Sequence, residues 1–197
     1  MMPWTKGGMT MRRKAIIAIC ITVAAAFLGL YLDYRVTDTR SLMAAAKAQN
    51  VEPYAFYVRM EKSVDARLAV PTLTAARRAE ASLPDGSVTV LENAQATRVA
   101  LTSACAPKLT TLQTVIYRMR NALGNQTALV CLTGRTQRED LEQAARDIMT
   151  ALGDEPEEAL IQDALVSLTG KRTQVALRRD EHGAKVYIGR PHIPIEY

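Results

Sequence analysis

An uncharged, predominantly apolar run extends from Ala15 to Leu32 (AIIAICITVAAAFLGLYL), with Thr22 its one aliphatic hydroxyl, and no other apolar run reaches half that length. As a helix the run would extend about 27 Å at ~1.5 Å per residue, enough to cross most of a bilayer. Beyond it the pattern is that of a folded domain. Residues 38–49 (DTRSLMAAAKAQ) predict a helix capped by Asp38 or Thr39. Glu52–Met60 alternates as a strand. Pro71–Leu83, rich in Ala, Arg and Glu, predicts a helix beginning at Pro71 or Thr72. Pro84-Asp85-Gly86 predicts a turn in which proline sets φ and glycine takes the positive φ. Strands are expected at 88–91 and 96–104, the second with Val99 and Leu101 at period two.

Pro107 opens a helix to Leu123, with Leu109, Leu112, Val115, Ile116, Met119 and Leu123 at helical spacing and Gly124 closing it. Ala128–Leu132 is a short apolar strand. Gln137–Leu152 predicts a helix with Glu139 and Asp140 in its first turn and Gly153 after its end. Residues 154–168 fit either a helix or two short strands. Residues 173–179 and 184–188 alternate around Asp180-Glu181-His182-Gly183, a hairpin with glycine at the left-handed position. The expected fold class is α+β: an N-terminal membrane helix, then helices packed on a mixed or antiparallel sheet. The succession also fits two similar α/β halves, about 51–104 and 105–197.

Lys6, Arg12, Arg13 and Lys14 precede the apolar run without an acidic residue, whereas Asp33, Arg35, Asp38 and Arg40 after it sum to zero. Basic residues are retained on the cytoplasmic side, so the N-terminus is expected in the cytosol and the bulk of the chain outside. The expected organisation is a cytoplasmic segment 1–14, a signal anchor 15–32, a juxtamembrane helix or linker 33–50, and an extracytoplasmic domain 51–197. A start at Met11 would leave the compact segment MRRKAII. A cleaved signal would need a shorter apolar core and small residues at its end. Ala24-Ala25-Ala26 lies inside the run, and Ile19 stands where a lipoprotein with Cys20 would need a small residue. A single-pass anchor is therefore the expectation, with secretion after cleavage as the alternative.

The charge pattern changes the choice of partners. The chain carries 25 basic and 20 acidic residues, for a net +5. Four of the basic residues belong to the topology signal, leaving 21 against 20 in the exported part. That part has no electrostatic footprint for nucleic acid. Three of the ten aromatic residues lie in or before the anchor, too few for apolar wedges in a minor groove. No nucleic acid is expected. The expected partners are the membrane, through 15–32, and an envelope protein or wall component.

Two cysteines, Cys105 and Cys131, fall in the exported part, where disulfides are permitted. A bridge would close a loop of about 26 residues and contribute ~3–4 kcal/mol. Two buried free thiols are the other reading, above all for Cys131 in its apolar run.

The last residues, Lys185 to Tyr197, contain Gly189, Pro191, Ile193, Glu196 and Tyr197 in the order G-x-P-x-I…E-Y. Leu129-Val130-Cys131-Leu132-Thr133-Gly134 is an apolar strand ending Cys-x-x-Gly, and Val166-Ser167-Leu168-Thr169-Gly170 precedes the final hairpin. Together these segments resemble the YwmB family of sporulating Firmicutes, described as TATA-box-binding-like. The resemblance covers about residues 125–197, with His192 and Pro194 interrupting the aliphatic tail. It implies an extracytoplasmic α/β fold and a sporulating host, and brings no catalytic residues. Read physically, Pro191 cannot donate to a ladder, so the strand lies at an edge or leaves the sheet there. Ile193, Ile195 and Tyr197 would then clasp the terminus to the core.

Catalytic chemistry is not evident. His182 and His192 lack zinc-ligand spacing, and no nucleophile elbow, phosphate loop or dinucleotide glycine pattern occurs. No metal or cofactor is expected. Asp154-Glu155 and Glu157-Glu158 could serve acid/base work on glycans, but beside Pro156 they read as a solvated connection. The chain is expected to act by binding, in envelope or sporulation-associated processes. An enzyme acting on wall polymers and a small-ligand or lipid-binding domain are the alternatives.

Overall fold

The computed structural model describes residues 39–92 and 96–194; the apolar run 15–32 and Ile195, Glu196 and Tyr197 lie outside them. The described residues from Ser41 onward belong to one compact unit. Among the described residues no helix is long and apolar enough to cross a membrane.

In chain order the elements are α1 (39–48), β1 (Glu52–Val64), α2 (Ala66–Glu80), β2 (Ser87–Glu92), β3 (Thr97–Cys105), α3 (Leu109–Leu123), β4 (Ala128–Thr136), α4 (Leu141–Ala151), β5 (Pro156–Gln162), β6 (Leu165–Gly170), β7 (Gln174–Asp180) and β8 (Gly183–Arg190). The fold is α+β, and the eight strands form one sheet in the order β2-β3-β1-β4-β8-β7-β6-β5. Every pairing is antiparallel. Residues 52–136 follow the split β-α-β plan, β-α-β-β-α-β with β1 and β4 adjacent. The remaining strands form a meander that returns β8 to the side of β4.

Period two decides which side of the sheet is buried. Phe56, Val58 and Met60 of β1, Leu132 of β4, Ile188 of β8 and Val166 and Leu168 of β6 enter one apolar core. The same core takes Leu112, Val115, Met119 and Leu123 from α3, and Leu141, Ile148 and Met149 from α4. It also takes Leu42, Ala45 and Ala46 of α1. Arg138 bonds both Gln49 Oε1 (3.2 Å) and Asp147 Oδ2 (2.7 Å), and Arg190 Nη1 donates to Ser41 Oγ (3.1 Å). The segment expected as a linker to residue 50 is thus built into the folded unit from Ser41.

Three local expectations are corrected. α2 begins at Ala66, because the Asp65 carboxylate accepts from the N–H groups of Arg67 and Leu68, both at 3.0 Å. Pro71 therefore sits inside the helix. In the Pro84-Asp85-Gly86 turn the positive φ falls on Asp85 (42°). Gly86 is needed for space instead, since a Cβ there would lie 2.6 Å from the Glu80 carbonyl oxygen. Residues 154–168 resolve as strands, which places Glu157 and Glu158 in β5 instead of a loop.

Candidate functional site

One face of the sheet carries no helix among the described residues. Its small apolar centre is Cys131 and Ala176 beneath Ile193, flanked by Tyr57 and Tyr187. The register sets Arg135 of β4 opposite Lys185 of β8, and Lys185 opposite Arg178 of β7. Cations directly opposite one another repel. Asp180, at the end of β7, relieves this: its carboxylate takes two Arg135 bonds at 2.9 and 2.8 Å and lies 3.7 Å from Lys185 Nζ. The Arg135 hydrogen bonds, then the His182 N–H, hold the Asp180 carboxyl down at about 2, against burial and with help from the Arg135 and Lys185 charges.

A β-bulge between Pro53 and Ala55 inserts Tyr54 into β1. Bulges re-aim side chains, and Tyr54 comes within electrostatic reach of Arg135 and Tyr187. Burial raises the Tyr187 hydroxyl, leaving it a neutral phenol. The cluster offers cations, phenols and one committed carboxylate.

The sheet ends in two different edges. At β2, the Val88 N–H donates to Glu80 Oε1 (2.9 Å), while four of the six residues are exposed, Leu91 among them. At β5 six of seven residues are exposed, including Leu160 (48%) and Ile161 (50%). Beside β5 an open hollow is lined by Thr150, Asp154, Glu155, Glu157, Lys171 and Arg172. Burial raises Asp154, but the Arg172 and Glu155 N–H groups, the Thr173 hydroxyl and the Arg172 charge outweigh it and leave the carboxyl lowered. A general acid needs the opposite shift.

Of the two readings of Cys105 and Cys131, the structure has the free thiols. Both are free and buried. Cys105 is opposite Phe56 and enters the helix-side core, whereas Cys131 is opposite Tyr57 and faces the other side. With β1 between them their backbones stand two strand spacings apart, about 9–10 Å, beyond the ~7 Å limit for a bridge. Burial pushes the Cys131 thiol up to about 12, partly offset by the Ile188 backbone bond, which disfavours the reactive thiolate. Among the described residues no cluster could hold a metal ion.

The tail residues come together for structural ends. After the cis Arg190–Pro191 peptide the chain leaves the sheet and folds back over Gly189. Ile193 N–H donates to Gln174 Oε1 at 3.0 Å, and its side chain covers Cys131 and Ala176. Glu196 and Tyr197 lie outside the described residues. Tyr54 and the β5 edge escaped the sequence reading, although Pro156 at the first residue of a strand is an edge signal.

No protein-family model and no curated protein matches the chain. Among solved structures it is similar to the ligand-free regulatory subunit of aspartate kinase from Thermus thermophilus, at 10% identity and a TM-score of 0.23, covering 72% of this chain and 89% of that one. It is also similar to a structure of aspartokinase alpha and beta subunits, at 12% identity and a TM-score of 0.22, covering 72% and 82%. Likenesses of that size carry no argument about function.

Proposed function

We propose that this chain is a membrane-anchored extracytoplasmic binding domain, held by residues 15–32 with its N-terminus in the cytosol. Its partner is an envelope protein or wall component. The observation that carries this reading is the uncovered β5 end of the sheet, where Leu160 and Ile161 stand exposed. An enzyme of wall polymers would gather a carboxyl with a raised pKa. Among the described residues, hydrogen bonds hold the carboxyls of Glu80, Asp147, Asp154 and Asp180 below the usual carboxylate range, against burial at each.

Membership of the YwmB family, with its sporulating host, belongs to the same reading. Supporting it, Gly189, Pro191 and Ile193 form one device, a fold-back that clasps the terminus onto β4 and β7. The two halves are similar in layering, each a set of strands under helices, while their strand connections differ.

The test is a photo-reactive amino acid placed at Leu160 or Tyr54 of the full chain in intact cells. Adducts with an envelope protein or wall fragment are expected. Cleavage of peptidoglycan by the purified chain would overturn the reading. So would a reporter fused after Asp33 that is active only in the cytosol.

A further inference from the structure

We propose that β5 is a strand-addition site that takes an extended, basic segment of another protein as a ninth strand. The proposal rests on the binding-domain reading and names the surface and the partner's chemistry.

The backbone sets the geometry. β5 and β6 are joined by the two-residue turn Asp163-Ala164, so Gln162 and Leu165 close the hairpin as a hydrogen-bonded pair. Alternation then gives Leu160 and Glu158 to β6 as well. The N–H and C=O groups of Ala159 and Ile161 point outward, and no side chain or loop among the described residues bonds them. At the other edge, Glu80 takes one outward group, the Val88 N–H.

The side chains set the chemistry. Ile161 is opposite Val166 and Ala159 opposite Leu168, so both lie on the core side of the sheet. α4 packs on β6 and β7 and barely reaches β5, which leaves Ile161 half exposed. An added strand with apolar residues on that side would extend the core by one row. On the other side Leu160 is flanked by Glu158. Glu155, Glu157 and Asp163 add negative charge, and Lys171 meets Glu157 only at 3.8 Å. An incoming segment alternating apolar residues with Lys or Arg complements both patterns.

A second copy does not. Two-fold pairing centred on Leu160 brings Glu157 toward Asp163 at the ends of the strand, and pairing centred on Ala159 brings Glu155 toward Asp163 just beyond them. Like charges brought together at the strand ends are unfavourable. Centring on Ile161 runs the ladder into the Asp163-Ala164 turn.

The test measures fluorescence anisotropy of a short capped lysine–valine peptide titrated with the full-length chain. Controls are its glutamate–valine counterpart and a lysine–valine peptide N-methylated on alternate residues. Saturable binding is expected for the first, weaker by roughly tenfold or more for both controls, a difference of about 1.4 kcal/mol. Ile161→Pro removes an outward N–H without touching the β6 ladder and should weaken binding by a similar factor. Glu158→Gln should lower affinity and its salt dependence. Absence of saturable binding would overturn the proposal, and so would an N-methylated peptide binding as tightly as its parent. Self-association of the unliganded chain that Ile161→Pro abolishes would name a second copy as the occupant and overturn it too. If the peptide fails while in-cell adducts persist at Tyr54, the binding-domain reading stands and only the β5 assignment falls.

Discussion

The carbonyl oxygen of His192 lies 2.5 Å from where a Cβ on Gly189 would stand. The residue must be glycine because the tail returns over its own strand. Gly189→Ala should therefore destabilise the fold by about 1–3 kcal/mol, the usual cost of forcing an extra carbon into a packed site. Gly153 is the control: its φ is 65° but nothing lies within 4 Å of its missing Cβ. Gly153→Ala should cost about 1–2 kcal/mol from the left-handed backbone alone. Denaturant unfolding measures both. A Gly189→Ala variant as stable as the parent would remove the fold-back from the account.

The Asp180 carboxyl is held at about 2 by Arg135 and the His182 N–H. A carboxyl depressed in the folded state stabilises it above the unfolded value, about 3.9, and that contribution is lost as pH falls toward 2. The parent should lose stability between about pH 4 and pH 2, and Asp180→Asn should flatten that part of the curve. Thermal unfolding across this range reads the difference. Identical profiles would show the pair contributes nothing.

Cys105 and Cys131 face opposite sides of β1. Peptide mass spectrometry should find both as free thiols, and reductant should not change unfolding. Alkylation of the native chain should be slow at Cys131, whose thiol is fully buried, and rapid after unfolding. A linked Cys105–Cys131 peptide would contradict the register of β1 with β3 and β4.

Leu42 of α1 is 1% exposed within the common core. Leu42→Ala should cost about 2–5 kcal/mol, measured by denaturant midpoint. A linker helix would show almost no change, so the substitution decides where the domain begins.

Local chemistry made much of this fold legible. The 3.6-residue spacing in Leu109–Leu123 and the glycine after it identified α3, and Gly183 marked the final hairpin, where its φ is 112°. Asp140, read as a first-turn residue, caps α4 by accepting from the Gln143 N–H at 2.9 Å. Errors fell where two local signals competed. Pro71 looked like a helix start until Asp65 supplied the cap, and Gly86 looked like the positive-φ residue until Asp85 took it.

Hydrophobic period and capping act within a few residues, so they decide helix or strand from the chain alone. Which strand lies beside which depends on contacts between distant residues. Only the tertiary arrangement placed Cys105 and Cys131 on opposite faces, drew α1 into the core, set Arg135 beside Asp180, and left β5 at an edge of the sheet. An edge is defined by the neighbour it lacks, and no local pattern encodes that.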